Sequence, residues 1–206
     1  EKLIMANKDA AFGLRPAKHV SGSPFNGGQS RYRITTSAQA YTTKIYMGDI
    51  VTQNTAGTVT RIARADGGSA TSDIIVGVFN GCFYTDPTTS KPSWSNYWPG
   101  NAATDAVAFI IDDPYVIYEV QADAAFPVTD LWGNFDIVDQ STVGSTTSGR
   151  SNVELDVTTG ATTATLPLKA IQISTDPQNS DAGSANTNVL VMVQNSLYRQ
   201  AQVGLA

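Results

Sequence analysis

The chain has 206 residues, a formal charge of −5, one cysteine and one histidine. That length suits one medium domain, which buries about 70% of its unfolded surface and needs no metal or disulfide to fold. A single cysteine excludes an intramolecular disulfide and a cysteine-built zinc site, and no run approaches the ~20 apolar residues of a membrane-spanning helix.

The charge is unevenly spread. Residues 1–33 hold Lys2, Lys8, Arg15, Lys18, Arg31 and Arg33 against Glu1 and Asp9, a net +4 that leaves −9 on the rest. An acidic body repels phosphate backbones, so direct nucleic-acid binding is not expected. The basic leader reads in two ways, as a segment that lies on an acidic protein surface or as a solvated tail. Leu, Glu and Lys are sparse while Thr, Ser, Val and Ile abound, which predicts an all-β chain.

Residues 1–29 show no sustained period and are broken by Gly13, Pro16, Gly22, Pro24, Gly27 and Gly28, so the arm is drawn over 1–30. Phe12, Leu14, Val20 and Phe25 are scattered apolar anchors along it. The stretch is therefore expected to form an extended N-terminal arm that needs a surface, separate from a body over 31–206. On that reading, deleting residues 1–29 leaves the body folded.

From Arg31 onward, Tyr32, Ile34 and Thr36 alternate with Arg33 and Thr35, the period-2 signature of a half-buried strand. Further strands are expected over 44–53, 58–64 and 74–85. Gly48, Gly77 and Gly81 within those runs call for a bulge, a bend or close backbone approach. Residues 86–104 read as a loop carrying Trp94, Tyr97 and Trp98. These rings serve either as interface anchors or as a cover over one end of the core. Strands over 106–111 and 115–123 flank the turn Asp112-Asp113-Pro114, since proline cannot donate to a central ladder. Strands over 134–139, 152–157, 167–174 and 188–199 complete roughly ten, with Thr/Ser/Gly-rich loops over 141–151 and 158–165. Such a pattern predicts a small β-barrel or sandwich, and the lack of βαβ alternation argues against a parallel nucleotide-binding sheet.

The search for chemistry finds no catalytic signature. His19 sits in the punctuated leader, a poor platform for a nucleophilic triad. Cys82 lies in the apolar run Val78-Phe79-Asn80-Gly81-Cys82-Phe83 and reads as a packed thiol. Asp112 and Asp113 read as a turn, although a hydrolase built on carboxylates such as Asp112 or Glu119 is the enzymatic alternative. There is no P-loop, dinucleotide fingerprint, zinc-protease motif or nucleophile elbow. The expectation is a non-enzymatic protein without cofactor.

The opening Met5-Ala6-Asn7-Lys8-Asp9-Ala10-Ala11-Phe12-Gly13-Leu14-Arg15-Pro16 resembles the start of small virion structural proteins of tailed phages. The resemblance continues through Tyr46-Met47-Gly48-Asp49-Ile50-Val51, Val76-Gly77-Val78-Phe79-Asn80-Gly81-Cys82, Asp112-Asp113-Pro114 and Glu119-Val120-Gln121-Ala122-Asp123. It covers pieces of about the first 125 residues. The Gly48-Asp49-Ile50-Val51 run also looks like a strand of small β-barrel head-decoration proteins.

The resemblance implies a capsid cement or decoration protein. Such a protein acts as a homotrimer on the outer surface of the virion, over junctions in the major capsid protein lattice, and stabilises the expanded head. On this reading Phe12, Leu14, Arg15, Lys18 and Phe25 of the arm contact the coat. Trp94, Tyr97 and Trp98 offer a second interface to coat, sister subunit or host glycan. A tail, connector or receptor-binding virion subunit is the alternative.

Overall fold

A computed structural model describes residues 6–36, 38, 40–62, 74–138, 144–179 and 181–199. Among them there is no α-helix, and fourteen strands build two open antiparallel sheets and a third, two-stranded one. The first sheet runs in the order β1 (Arg15–His19), β10 (Val116–Gln121), β14 (Asn188–Val193), β13 (Leu168–Ile173), β11 (Asn134–Val138) and β12 (Glu154–Ala161). The second runs β2 (Ser30–Arg33), β9 (Val107–Ile111), β6 (Ile75–Thr85), β4 (Ile50–Gln53) and β5 (Val59–Arg61). Beyond β4, β7 (Pro92–Ser95) pairs with the far end of β6. β3 (Ile45–Tyr46) and β8 (Tyr97–Trp98) pair antiparallel as a small two-stranded sheet.

The all-β class read from composition is what the chain adopts, and of the two architectures expected it is the sandwich. The first sheet curls until Ala122 and Leu155 form a single bridge and the Asp123 N–H donates to the Leu155 carbonyl at 3.0 Å, without closing into a barrel.

Two cores hold the layers together. Ile50, Val78 and Ile111 of the second sheet face Val116, Tyr118, Leu155, Leu168 and Val191 of the first. On the opposite face of the second sheet, Val51, Val76, Phe79, Cys82 and Ile110 pack under Ile45, Trp98 and Ile34. A sheet buried on both faces needs apolar residues at consecutive positions, which explains the near-unbroken apolar run of β6.

Several expectations need correcting. The 44–53 run is two strands, because Gly48 turns at φ 98° and the Asp49 carboxylate accepts the Tyr46 N–H at 2.7 Å. The stretch 86–104 is not one loop, since it contains β7 and β8. The leader has its surface within its own chain. Residues 15–19 form β1 on β10, and Leu14, 2% exposed, belongs to the core between the sheets. The body therefore does not begin at residue 31.

Candidate binding face

Alternation along the second sheet decides which side chains reach solvent. Cys82 and Tyr84 point into the core under the β3/β8 pair, so Phe83 between them points the other way. Ala108 and Ile110 do the same for Phe109. Register then brings others to that face: Trp94 lies opposite Phe83, Arg31 opposite Phe109, and Arg33 and Phe83 both opposite Val107. This is the face that Val78 and Ile111 present to the first sheet further along, but here it is open. Phe83 is 44% exposed and Trp94 54%.

The rings are not independent of one another. Trp94 and Phe109 lie 4.7 Å apart at a tilt of 54°, and the Arg31 guanidinium stands 5.5 Å from the centre of the Phe109 ring. Trp94 lies across Gly81, whose φ of 129° and lack of a side chain make room. A Cβ there would come within 3.0 Å of the indole. A bulge between Phe79 and Cys82 at this point re-aims the strand. Aromatic rings beside arginines, gathered around the end of a strand that is buried elsewhere along its length, match the composition of protein-binding hot spots.

Next to this face, a cleft of about 160 Å³ opens between the leader and the second sheet. Its apolar lining includes Phe12, Leu14, Met47, Val78 and Ile111, and Arg15 and Arg150 contribute charge. Asn80 lines it too and donates to the Gln29 side chain at 2.8 Å, which joins the cleft to the start of β2.

The residues singled out from the sequence divide sharply. Phe12 is half-buried at the cleft with Arg15 4.8 Å over its ring. Arg15 also pairs with Glu119, a nearly buried carboxylate that further accepts the Ser174 hydroxyl at 2.7 Å. Leu14 is core, which removes it from any contact surface. Lys18 is half-buried in β1, and Phe25 packs against the main core with its ring 6.0 Å from His19. Trp98 is fully buried, donates its Nε1 hydrogen to the Tyr41 carbonyl at 2.7 Å and meets Tyr84 edge-on. Tyr97 stacks on Tyr46 at 5.6 Å. Of the three aromatics read as an interface loop, only Trp94 is exposed. Phe83, Phe109, Arg31, Arg33 and Arg150 were not identified as site residues. The signal for Phe83, Arg31 and Arg33 was their alternation with Cys82, Tyr84 and Tyr32, whereas Arg150 lies outside the strands and carried no such signal.

The remaining polar groups have structural roles. His19 is part of β1, with Nδ1 3.2 Å from Asp113 Oδ2, and it is not on a loose leader as its punctuated sequence suggested. Asp112 accepts the Tyr32 hydroxyl at 2.7 Å, and Tyr32 shares a second bond of 2.8 Å with Tyr198. Burial pushes the Cys82 thiol up to about 12, consistent with the packed thiol expected. Among the described residues, no group of three or more His, Cys, Asp or Glu side chains is placed to hold a metal ion. No protein-family model, no curated protein and no solved structure matches the chain.

One carboxyl makes stability depend on pH. Burial first, and then the charges of Asp9 and Asp123, push Glu154 from its ordinary 4.5 up to about 7. Its proton is held more tightly in the folded chain, so folding is favoured at low pH and loses this advantage as pH rises from about 4.5 to about 7. Asp123, raised chiefly by burial, acts in the same sense. Asp86 and Asp105, lowered by hydrogen bonds from neighbouring residues, act only below the ordinary aspartate range. Melting temperature is expected to fall across that window, and Glu154→Gln to flatten the fall. Differential scanning fluorimetry across the window checks this, and a Glu154→Gln profile parallel to the parent's would contradict it.

Proposed function

We propose that the protein is a non-enzymatic structural subunit of a tailed-phage virion, a cement protein that binds the outer surface of the major capsid protein lattice through the open face of its second sheet. The observation that carries this reading is the cluster of exposed Phe83 and Trp94 and half-buried Phe109 with exposed Arg31 and Arg33, gathered from four strands around the end of β6, a strand that packs into both cores. Large rigid rings lose little conformational entropy on binding and bury much apolar area, so such a cluster suits tight contact with another folded surface. The resemblance of the leader and of the Gly48–Val51 and Val76–Cys82 runs to virion proteins supplies the biological setting.

The physical logic of cement fits this scaffold. A subunit that binds only the expanded lattice stabilises it by mass action. As a homotrimer it presents three copies of one modest contact, which reinforce each other through effective concentration. The acidic body keeps the subunit on protein and away from nucleic acid.

The test is co-sedimentation of purified protein with expanded and with unexpanded heads of the phage that encodes it. Saturable binding to expanded heads alone is expected. Equal binding to both forms, or binding to neither, would remove the cement role.

A further inference from the structure

From the cleft beside the aromatic face, we infer that the site takes one apolar side chain of an extended, carboxylate-bearing segment of the partner protein. The inference rests on the reading above and names the chemistry of the partner. Size comes first. At about 160 Å³ the cleft is smaller than the roughly 300–1,000 Å³ of small-molecule and cofactor sites, so it suits a single side chain. Its floor is apolar, formed by Leu14, Val78 and Ile111, with Phe12 and Met47 also in the lining.

Charge selects the rest of the ligand. Arg150 is exposed and lines the cleft, and Arg31 and Arg33 are exposed on the adjoining face. Among the described residues, none of these three forms an ion pair, whereas Arg15 is already held by Glu119. Three exposed cations, one in the cleft lining and two on the adjoining face, stand out in a chain whose net charge is −5. Carboxylates flanking the inserted side chain would meet these guanidiniums, whose forked N–H groups donate to both oxygens of a carboxylate. Asn80, in the cleft lining, and Phe83, on the aromatic face, share strand β6, so one segment lying along that strand would engage both.

The probe is a short fluorescein-labelled peptide of Asp, Glu, Gly and Ser with one central Phe. Two controls replace the Phe with Ala or the acidic residues with Lys. Fluorescence anisotropy is expected to show binding of the Phe peptide. Either control, or Arg150→Glu in the protein, is expected to weaken it by about tenfold or more. In a sample with 13C-labelled methionine methyls, the Met47 resonance is expected to shift on addition of the Phe peptide. Equal affinity of the Phe and Ala peptides would overturn the inference. So would an unmoved Met47 resonance, or no binding up to about 1 mM peptide.

Expanded heads separate this inference from the reading it rests on. If heads bind the parent, Met47→Trp and Arg150→Glu proteins equally, the cleft assignment fails and the cement role stands. If the peptides are discriminated but heads do not bind the parent protein, the cement role fails and the cleft assignment stands.

Discussion

Removal of residues 1–29 is expected to leave a chain without a cooperative thermal transition, the opposite of what the punctuated leader suggests on its own. The leader contributes Leu14 to the main core and β1 to the first sheet. It also satisfies groups that its loss would strand. The fully buried Gln121 accepts the Ala10 N–H at 2.9 Å and donates to the Lys8 carbonyl at 2.8 Å, while Asn7 donates to the Asp181 carbonyl at 2.9 Å. Glu119, 7% exposed, would lose the guanidinium of Arg15. Leaving a buried polar group without its partner costs about 1–3 kcal/mol, and more for a charged one.

A milder variant keeps the test interpretable. Leu14→Ala should cost about 2–5 kcal/mol, the range for a buried leucine, and lower the melting temperature by about 4–20 °C in a chain of this size. Calorimetry on both proteins decides the matter. A truncated chain that melts cooperatively within a few degrees of the parent would show that the leader is an accessory after all.

The second large effect is on binding and leaves folding intact. Phe83→Ala with Trp94→Ala removes two exposed rings, so the double variant should keep its melting temperature to within a few degrees. Its affinity for expanded heads should fall by about 30-fold or more, the factor that corresponds to a hot-spot loss of about 2 kcal/mol. Trp98→Ala is the contrasting case. Its ring is fully buried and hydrogen-bonded, and its removal should cost about 3–5 kcal/mol of stability. Head-binding isotherms beside thermal melts separate the two. A double variant that binds like the parent would move the contact away from this face.

Much of the fold was legible because its signals are local. The β-branched composition, the apolar run of β6 and the Asp112-Asp113-Pro114 turn each follow from short-range sterics or hydrogen bonding, and each sits where it was expected. The leader was misread because its partner is distant. Arg15–His19 pairs with Val116–Glu119, about a hundred residues on, and glycines and prolines mask a strand that itself holds no large apolar residue. Similarly, the tryptophans of 86–104 look alike in sequence. Their fates part because Trp94 pairs with an outward position of β6, whereas Trp98 pairs with Ile45 over the second core.

The candidate site was less legible still. Arg31, Phe83, Trp94 and Phe109 come from four different strands, and only the register of β2, β9, β6 and β7 brings them together. Period-2 alternation can say that Phe83 faces away from Cys82. It cannot say that the first sheet stops short of covering it. Cores of the kind at Trp98 are set by the balance of area buried, while an open face depends on where neighbouring layers end.

The most direct test of the central claim is electron cryo-microscopy of the native particle that contains this chain. The cement reading predicts density for the two-sheet body at three-fold or quasi-three-fold positions on the outer capsid, with Phe83 and Trp94 turned toward coat subunits. Density confined to the tail or portal, or a body bound with those rings facing solvent, would contradict it.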